Sequence, residues 1–175
     1  GLICNLYAGS EGEMVSFLNN QIKLLTDWDD SAKKAFVENM EICIVNIEKI
    51  TIEEGITTIE DGFIDEENMK VKGTFIGIGG DLANFAPNPD RTLEVSLPNS
   101  LKHIGDFAFA LTALRELEIP VGVESIGNYS FIFNSSLTTL TFEDGSRLIT
   151  IGGYAFNHSQ LTELTLGDSV QTIGD

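Results

Sequence analysis

Hydrophobic residues recur with a period of 22–25 residues along the second half of the chain. The clearest marker is an Ile-Gly pair at Ile104, Ile126, Ile151 and Ile173, so that successive pairs are 22, 25 and 22 residues apart. A period of this length is the signature of a repeat architecture, in which one supersecondary unit is stacked many times. The sequence therefore predicts a solenoid.

A run of alternating apolar residues precedes each Ile-Gly pair, as Leu117 and Ile119 precede Ile126. Alternation with a period of two is typical of a half-buried strand. Pro98 and Pro120 end two of these runs, because proline cannot continue a ladder of hydrogen bonds. We predict one parallel strand in each repeat, near residues 48–52, 94–97, 115–119, 138–142 and 162–166.

Other positions repeat in register with the Ile-Gly pairs. Phenylalanine lies five residues after the first three isoleucines, at Phe109, Phe131 and Phe156. Stacking places equivalent residues on one another, so we expect continuous apolar columns inside the repeats. The glycine of each pair is expected to permit a tight or positive-φ turn.

An earlier copy of the pattern covers residues 47–64. From Ile59 to Ile104 is 45 residues, about two periods, which predicts a degenerate copy at 65–92 with an inserted loop at 86–90. The repeats then occupy residues 47–175 in about six copies, of which the last is truncated.

Residues 1–46 do not repeat and predict a helical cap. Ser10 and Glu13 form a capping box ahead of apolar residues at helical spacing, which indicates a helix at about 12–25. A second helix is expected after Asp30 or Ser31. Two helices here would cover the open end of the first repeat, as solenoid ends require.

The repeats resemble those of the BspA-like leucine-rich repeat family. The resemblance rests on a strand that ends in Ile-Pro, on the Val-x-x-Ile-Gly segment and on an Ala-Phe pair before the next leucine; examples are 114–120, 123–127 and 108–109. It covers about residues 47–175. It implies an α/β fold, mostly β: a right-handed leucine-rich-repeat solenoid of parallel strands with the N-terminal helical cap.

The charge of the chain narrows the classes of partner. Acidic residues outnumber basic ones 27 to 10, and the formal net charge is −17. Such a polyanion repels phosphate backbones and anionic lipids, so we expect no nucleic-acid binding. No apolar run approaches the length of a membrane span, so we expect no membrane insertion in this segment.

Candidate catalytic and metal-binding groups are weak. Asp27, Asp29, Ser31 and Glu38 match positions of a calcium loop, but Ala32 replaces the glycine that such a loop needs. We therefore expect no metal site. No nucleophile motif accompanies Ser or Cys, so we expect a noncatalytic protein without a cofactor.

Several smaller features have structural interpretations. His103 is expected to face solvent, His158 to be a hydrogen-bonded turn residue and Gly77–Gly80 to form a turn. Trp28 is expected to pack between the cap and the first repeat. The sequence leaves open whether Cys4 and Cys43 pair and whether sequons are used; these begin at Asn128, Asn134 and Asn157.

The family resemblance implies a protein-interaction module on a cell surface or outside the cell, with an adhesion role and a host or neighbouring-cell protein as partner. A structural spacer without a ligand of its own is the alternative. Solenoids recognise partners through extended sheet faces, so we place the candidate contact surface on outward positions of the strands. These positions are Arg115, Glu116, Glu118, Thr138, Thr139, Thr141, Thr162, Glu163 and Thr165. The acidic loop at 60–67 and the insertion at 86–90 are the next candidates.

Overall fold

The computed structural model describes residues 49–65, 70–73, 75–78, 80–81, 86–87 and 90–175. The predicted helical cap, the calcium-loop segment, both cysteines and Trp28 lie outside the described residues. The described strands, in chain order, are β1 (Lys49–Thr51), β2 (Thr58–Ile59), β3 (Phe63–Asp65), β4 (Lys70–Lys72), β5 (Gly80–Asp81), β6 (Ala86–Pro87), β7 (Glu94–Ser96), β8 (His103–Ile104), β9 (Glu116–Ile119), β10 (Ser125–Ile126), β11 (Thr139–Phe142), β12 (Thr150–Ile151) and β13 (Thr172–Ile173).

Four of the five predicted main strands are confirmed as β1, β7, β9 and β11. They pair in parallel, β1 with β7 and β9 with β11. Alternation explains their burial, since Leu117 and Ile119 of β9 point into the core while Glu116 and Glu118 are exposed.

The predicted strand at 162–166 is wrong. This segment has no regular structure, although Leu164 and Leu166 still pack against the core as half-buried residues. Leu140, the equivalent of Leu164 in β11, is 6% exposed. Weaker burial of Leu164 and Leu166 leaves the strand register of this segment less strongly fixed.

A second parallel sheet, which the periodicity did not reveal, runs through the Ile-Gly pairs. Its five strands are two residues long and pair in the order β13-β12-β10-β8-β2. Each of these strands places an isoleucine opposite the isoleucine of the next repeat, as Ile126 does opposite Ile104 and Ile151. The Ile-Gly segment is therefore a sheet strand followed by a turn.

The glycine of the pair is required for close approach of two backbones and not for a positive φ, which was one of the two expected reasons. Gly127 does not have a positive φ; instead, a Cβ added to it would lie 2.6 Å from Asp106 N and 2.7 Å from Gly105 C. Gly152 meets Gly127 and Asn128 in the same way. The backbones of successive repeats approach too closely for any side chain at this position.

The predicted phenylalanine column is confirmed. Phe109, Phe131 and Phe156 stack with ring centroids 5.4 and 5.5 Å apart, and Phe75 stacks on Phe109 at 5.2 Å. Phe109 and Phe131 are completely buried. This column fills the core beneath the turns that close each repeat.

The segment between the first two repeats differs from the degenerate copy that we expected at 65–92. β1 pairs directly with β7, and β2 pairs directly with β8, so no described strand of either parallel sheet lies between them. The described strands of the intervening segment form the antiparallel pairs β3–β4 and β5–β6. Between them, Phe75 enters the phenylalanine column. The first repeat is therefore enlarged by two antiparallel strand pairs.

Glu54 fastens this enlarged repeat to the next one. Its carboxylate accepts hydrogen bonds from the backbone N–H groups of Asn99, at 2.7 Å, and Ser100, at 3.1 Å. The Ser100 hydroxyl in turn accepts from Gly55 N–H and donates to the Ile56 carbonyl. The hydrogen bond from Asn99, helped by those from Ser100, lowers the pKa of Glu54 below its ordinary value of 4.5.

Asn134 ties two neighbouring turns together inside the protein. Its Nδ2 donates to the carbonyls of Phe109, at 2.7 Å, and Phe131, at 2.8 Å. Its Oδ1 accepts a hydrogen bond from the Thr112 hydroxyl. Thr112 and Asn134 are both completely buried. These bonds satisfy polar groups that the turns would otherwise leave unpaired in the core.

Candidate interaction surface

The outward face of the main strands brings most of the predicted contact residues together. Thr139 lies opposite Glu116, and Thr141 lies opposite Glu118, in the β9–β11 register. All four side chains are exposed, because the alternating residues Leu117 and Leu140 are committed to the core. These four residues form two adjacent columns across the two repeats.

Arg115 and Thr138 extend these columns at the start of the strands. The Arg115 carbonyl accepts hydrogen bonds from the N–H and hydroxyl groups of Thr138, at 2.9 and 3.2 Å. Both residues are exposed, so they adjoin the columns.

Thr162, Glu163 and Thr165 are also exposed but lie in the segment that lacks a strand. The structure therefore does not extend the ordered columns to these three residues.

A change in spacing interrupts the main ladder between β7 and β9. Leu93 and Val95 are two residues apart, whereas the equivalent Leu114 and Leu117 are three apart. An isolated bridge joins Leu93 to Leu114, and no ladder continues from it between these two described strands. The extra residue on the β9 side has the effect of a bulge, which locally disrupts strand pairing.

A shallow, open depression of about 440 Å³ lies at this interruption. Its lining residues come from three strands and are Glu94, Val95, Glu116, Leu117, Glu118, Thr139 and Thr141. Four of them, Glu116, Glu118, Thr139 and Thr141, are predicted contact residues. Glu94, Val95 and Leu117 were not among the predicted contact residues, although Glu94 occupies the same outward position of its strand as Glu116 does in the next.

The depression is acidic. Glu94, Glu116 and Glu118 contribute carboxylates on its three-strand surface. Lys49 lies at the edge, with its Nζ 4.0 Å from a Glu94 oxygen, and both side chains are more than half exposed. An exposed pair at this distance contributes little energy. The surface is suited to a partner that carries positive charge.

Comparison with known proteins agrees with the repeat architecture. Residues 89–175 match the model of a family described as BspA type Leucine rich repeat region (6 copies). Residues 89–175 are a BspA-type leucine-rich repeat region. No match was found among curated proteins.

The chain is also similar to a solved structure, titled as the crystal structure of the pneumococcal vaccine antigen PcpA. The two share 30% sequence identity with a TM-score of 0.56, over 73% of this chain and 26% of that one. The chain thus spans about a quarter of the length of the antigen's chain that it matches.

Among the described residues, no group of three or more His, Cys, Asp or Glu side chains is arranged to hold a metal ion. His103 is exposed, as expected, and its Nδ1 lies 2.8 Å from the Ser125 hydroxyl. His158 is exposed too, but its ring stacks on Phe133 at 4.9 Å.

Two of the three sequon asparagines have structural roles in the repeats. Asn134 is buried, whereas Asn128 is exposed and accepts a hydrogen bond from Gly153 N–H at 2.8 Å. Asp61 of the predicted acidic loop likewise accepts one from Asp106 N–H at 2.8 Å. Short polar side chains after the Ile-Gly position therefore link one repeat to the next.

No helix among the described residues is both long enough and apolar enough to cross a membrane.

Proposed function

We propose that this chain is a noncatalytic protein-interaction module of a surface or secreted protein, and that the face of β7, β9 and β11 is its contact surface. The depression at the ladder interruption carries the proposal. It combines exposed side chains in strand register with an open concavity, whereas the inward residues of the same strands are committed to the core.

The negative charge of this face indicates the sign of the charge on a suitable partner. Glu94, Glu116 and Glu118 surround the depression on a chain with a net charge of −17. Complementary charge steers association and suppresses wrong partners. The partner we propose is a protein that presents a Lys- and Arg-rich surface segment.

A broader setting follows from the family. We propose that the repeats are turns of a right-handed solenoid, since crossover connections between parallel strands are nearly always right-handed. Residues 1–46 would be its helical cap. The BspA-type family and the likeness to a vaccine antigen support an extracellular or cell-surface location and an adhesion role.

A structural spacer is the second candidate function. Thr139 and Thr141 support it, because β-branched residues are favoured on any exposed strand and need no ligand. Under this alternative the repeats hold other parts of a larger surface protein apart.

Binding to an array of Lys- and Arg-rich peptides from secreted proteins separates the two functions. The face variant combines Glu94→Lys, Glu116→Lys and Glu118→Lys. The matched control carries three other reversals at exposed positions, Asp144→Lys, Asp168→Lys and Asp175→Lys. The two variants have the same net charge, so they differ only in where the charge is reversed.

The interaction function predicts that the wild-type chain binds a subset of peptides, that the control retains this binding and that the face variant loses it at least tenfold. Equal losses in both variants would show nonspecific attraction to the polyanion. Retention by the face variant would place the site elsewhere. A wild-type chain that binds no peptide on the array would favour the spacer.

A further inference from the structure

The two main-strand ladders meet at the junction between the repeat at 93–113 and the repeat at 114–136. On the main-strand face, β7 and β9 form no ladder across this junction, and an isolated bridge joins Leu93 to Leu114. At the next junction, by contrast, four consecutive residues of β11 pair with β9. The main-strand face is therefore held less firmly at the first junction than at the second.

The second sheet crosses the same junction without interruption. β8 pairs with β10 in parallel, and Gly127 N–H donates to the Ile104 carbonyl at 2.8 Å. A Cβ added to Gly127 would lie 2.7 Å from Gly105 C, so the two backbones are in close contact here. This face holds the spacing between the repeats fixed.

The turns that close the repeats are also joined across the junction. Phe109 N–H donates to the Ser130 carbonyl at 2.8 Å, and Leu111 N–H donates to the Ile132 carbonyl at 2.9 Å. Phe109 stacks on Phe131 beneath these turns. Two of the three sides of the junction are thus continuously bonded, and the third is not.

We infer that the repeat stack bends at this junction, with the second sheet as the hinge and the main-strand face as the side that opens. In a repeat protein each unit contacts only its neighbours, so a missing ladder at one interface is not compensated by distant contacts. Regions whose backbone hydrogen bonds are few open at low free energy. Bending widens the depression between Glu94 and Glu116. The width of the depression can therefore adjust to the size of a bound segment. The hinge does not depend on the proposed partner.

Distance distributions between pairs of nitroxide labels test the hinge. The labels are attached to introduced cysteines in a background that carries Cys4→Ser and Cys43→Ser. The first pair, Glu94→Cys with Glu116→Cys, spans the opening side of the junction. The second, His103→Cys with Ser125→Cys, spans the hinge side of the same junction.

A third pair provides the matched control on the main-strand face. Glu116→Cys with Thr139→Cys spans the next junction, where the ladder is intact. We expect the distribution for residues 94 and 116 to be at least twice as broad as either of the other two. Equal widths for the 94–116 and 116–139 pairs would overturn the hinge, as would a broad distribution for residues 103 and 125.

Hydrogen exchange of the unmodified chain gives an independent measurement if a labelled variant does not fold. Backbone amides of β9 that point towards β7 should exchange at least tenfold faster than those of β10, which belongs to the same repeat. Slower or equal exchange in β9 would contradict the inference.

Discussion

Replacing Asn134 by alanine should destabilise the protein more than the removal of a few side-chain atoms would suggest. Asn134 Nδ2 donates hydrogen bonds to the carbonyls of Phe109 and Phe131, and its Oδ1 accepts one from the Thr112 hydroxyl. The substitution leaves three polar groups without these partners in a completely buried environment. Each orphaned group costs about 1–3 kcal/mol, and costs within one network are not additive.

We therefore expect Asn134→Ala to lower the free energy of unfolding by about 3–5 kcal/mol. Urea denaturation monitored by circular dichroism measures this loss. Asn99→Ala is the matched control, because Asn99 is exposed and should lose less than about 0.5 kcal/mol.

Thr112→Val separates the network from simple loss of volume. It removes the hydroxyl while keeping the shape of the side chain, and it leaves only Oδ1 of Asn134 without its partner. We expect a loss of about 1–2 kcal/mol, and less than additive behaviour when it is combined with Asn134→Ala. A loss below about 1 kcal/mol for Asn134→Ala would refute the reasoning, because it would mean that the carbonyls find other partners.

Three further predictions concern the core, the repeat spacing and metals. Truncating the fully buried Phe131 to alanine should cost about 3–5 kcal/mol in urea denaturation, and a loss below about 1 kcal/mol would contradict its place in the stacked column. Gly127→Ala should lower the free energy of unfolding by about 1–3 kcal/mol, because the added Cβ meets the backbone of the preceding repeat. Gly167→Ala is the control and should be nearly neutral in the same assay, since its Cβ would approach nothing closer than 3.9 Å. Removing divalent ions should leave the melting temperature unchanged; a fall of several degrees on adding chelator would support calcium binding in the segment 27–38.

Periodicity predicted the parts of the fold that depend on repetition. The alternating run Leu117-Glu118-Ile119 fixes a strand and its inward face, because side chains of a strand alternate with a period of two. The recurrence of phenylalanine after Ile104 and Ile126 likewise predicted stacking of Phe109 on Phe131, because equal spacing places equivalent residues on one another.

The candidate surface was found only in part, because its shape depends on how two repeats are aligned. Alternation identified Glu116, Glu118, Thr139 and Thr141 as outward residues. The depression, however, arises from a one-residue difference in spacing before β7 and β9, and its effect on the ladder depends on pairing across the junction. Glu94 lines the candidate surface because the depression forms between its strand and β9.

Sequence by itself determined the repeat, its strands and its apolar columns, since these follow from local alternation and equal spacing. Tertiary structure decided what depends on the distance between neighbouring backbones. The glycine after Ile126 is needed because the preceding repeat lies within contact distance of it, although its φ is ordinary. Contacts between residues 45 positions apart, such as the hydrogen bond between Asn99 and Glu54, likewise place β7 directly beside β1. Segment 65–92 therefore adds no parallel strand between these two strands. Periodicity along the chain carries no information about such distances between repeats.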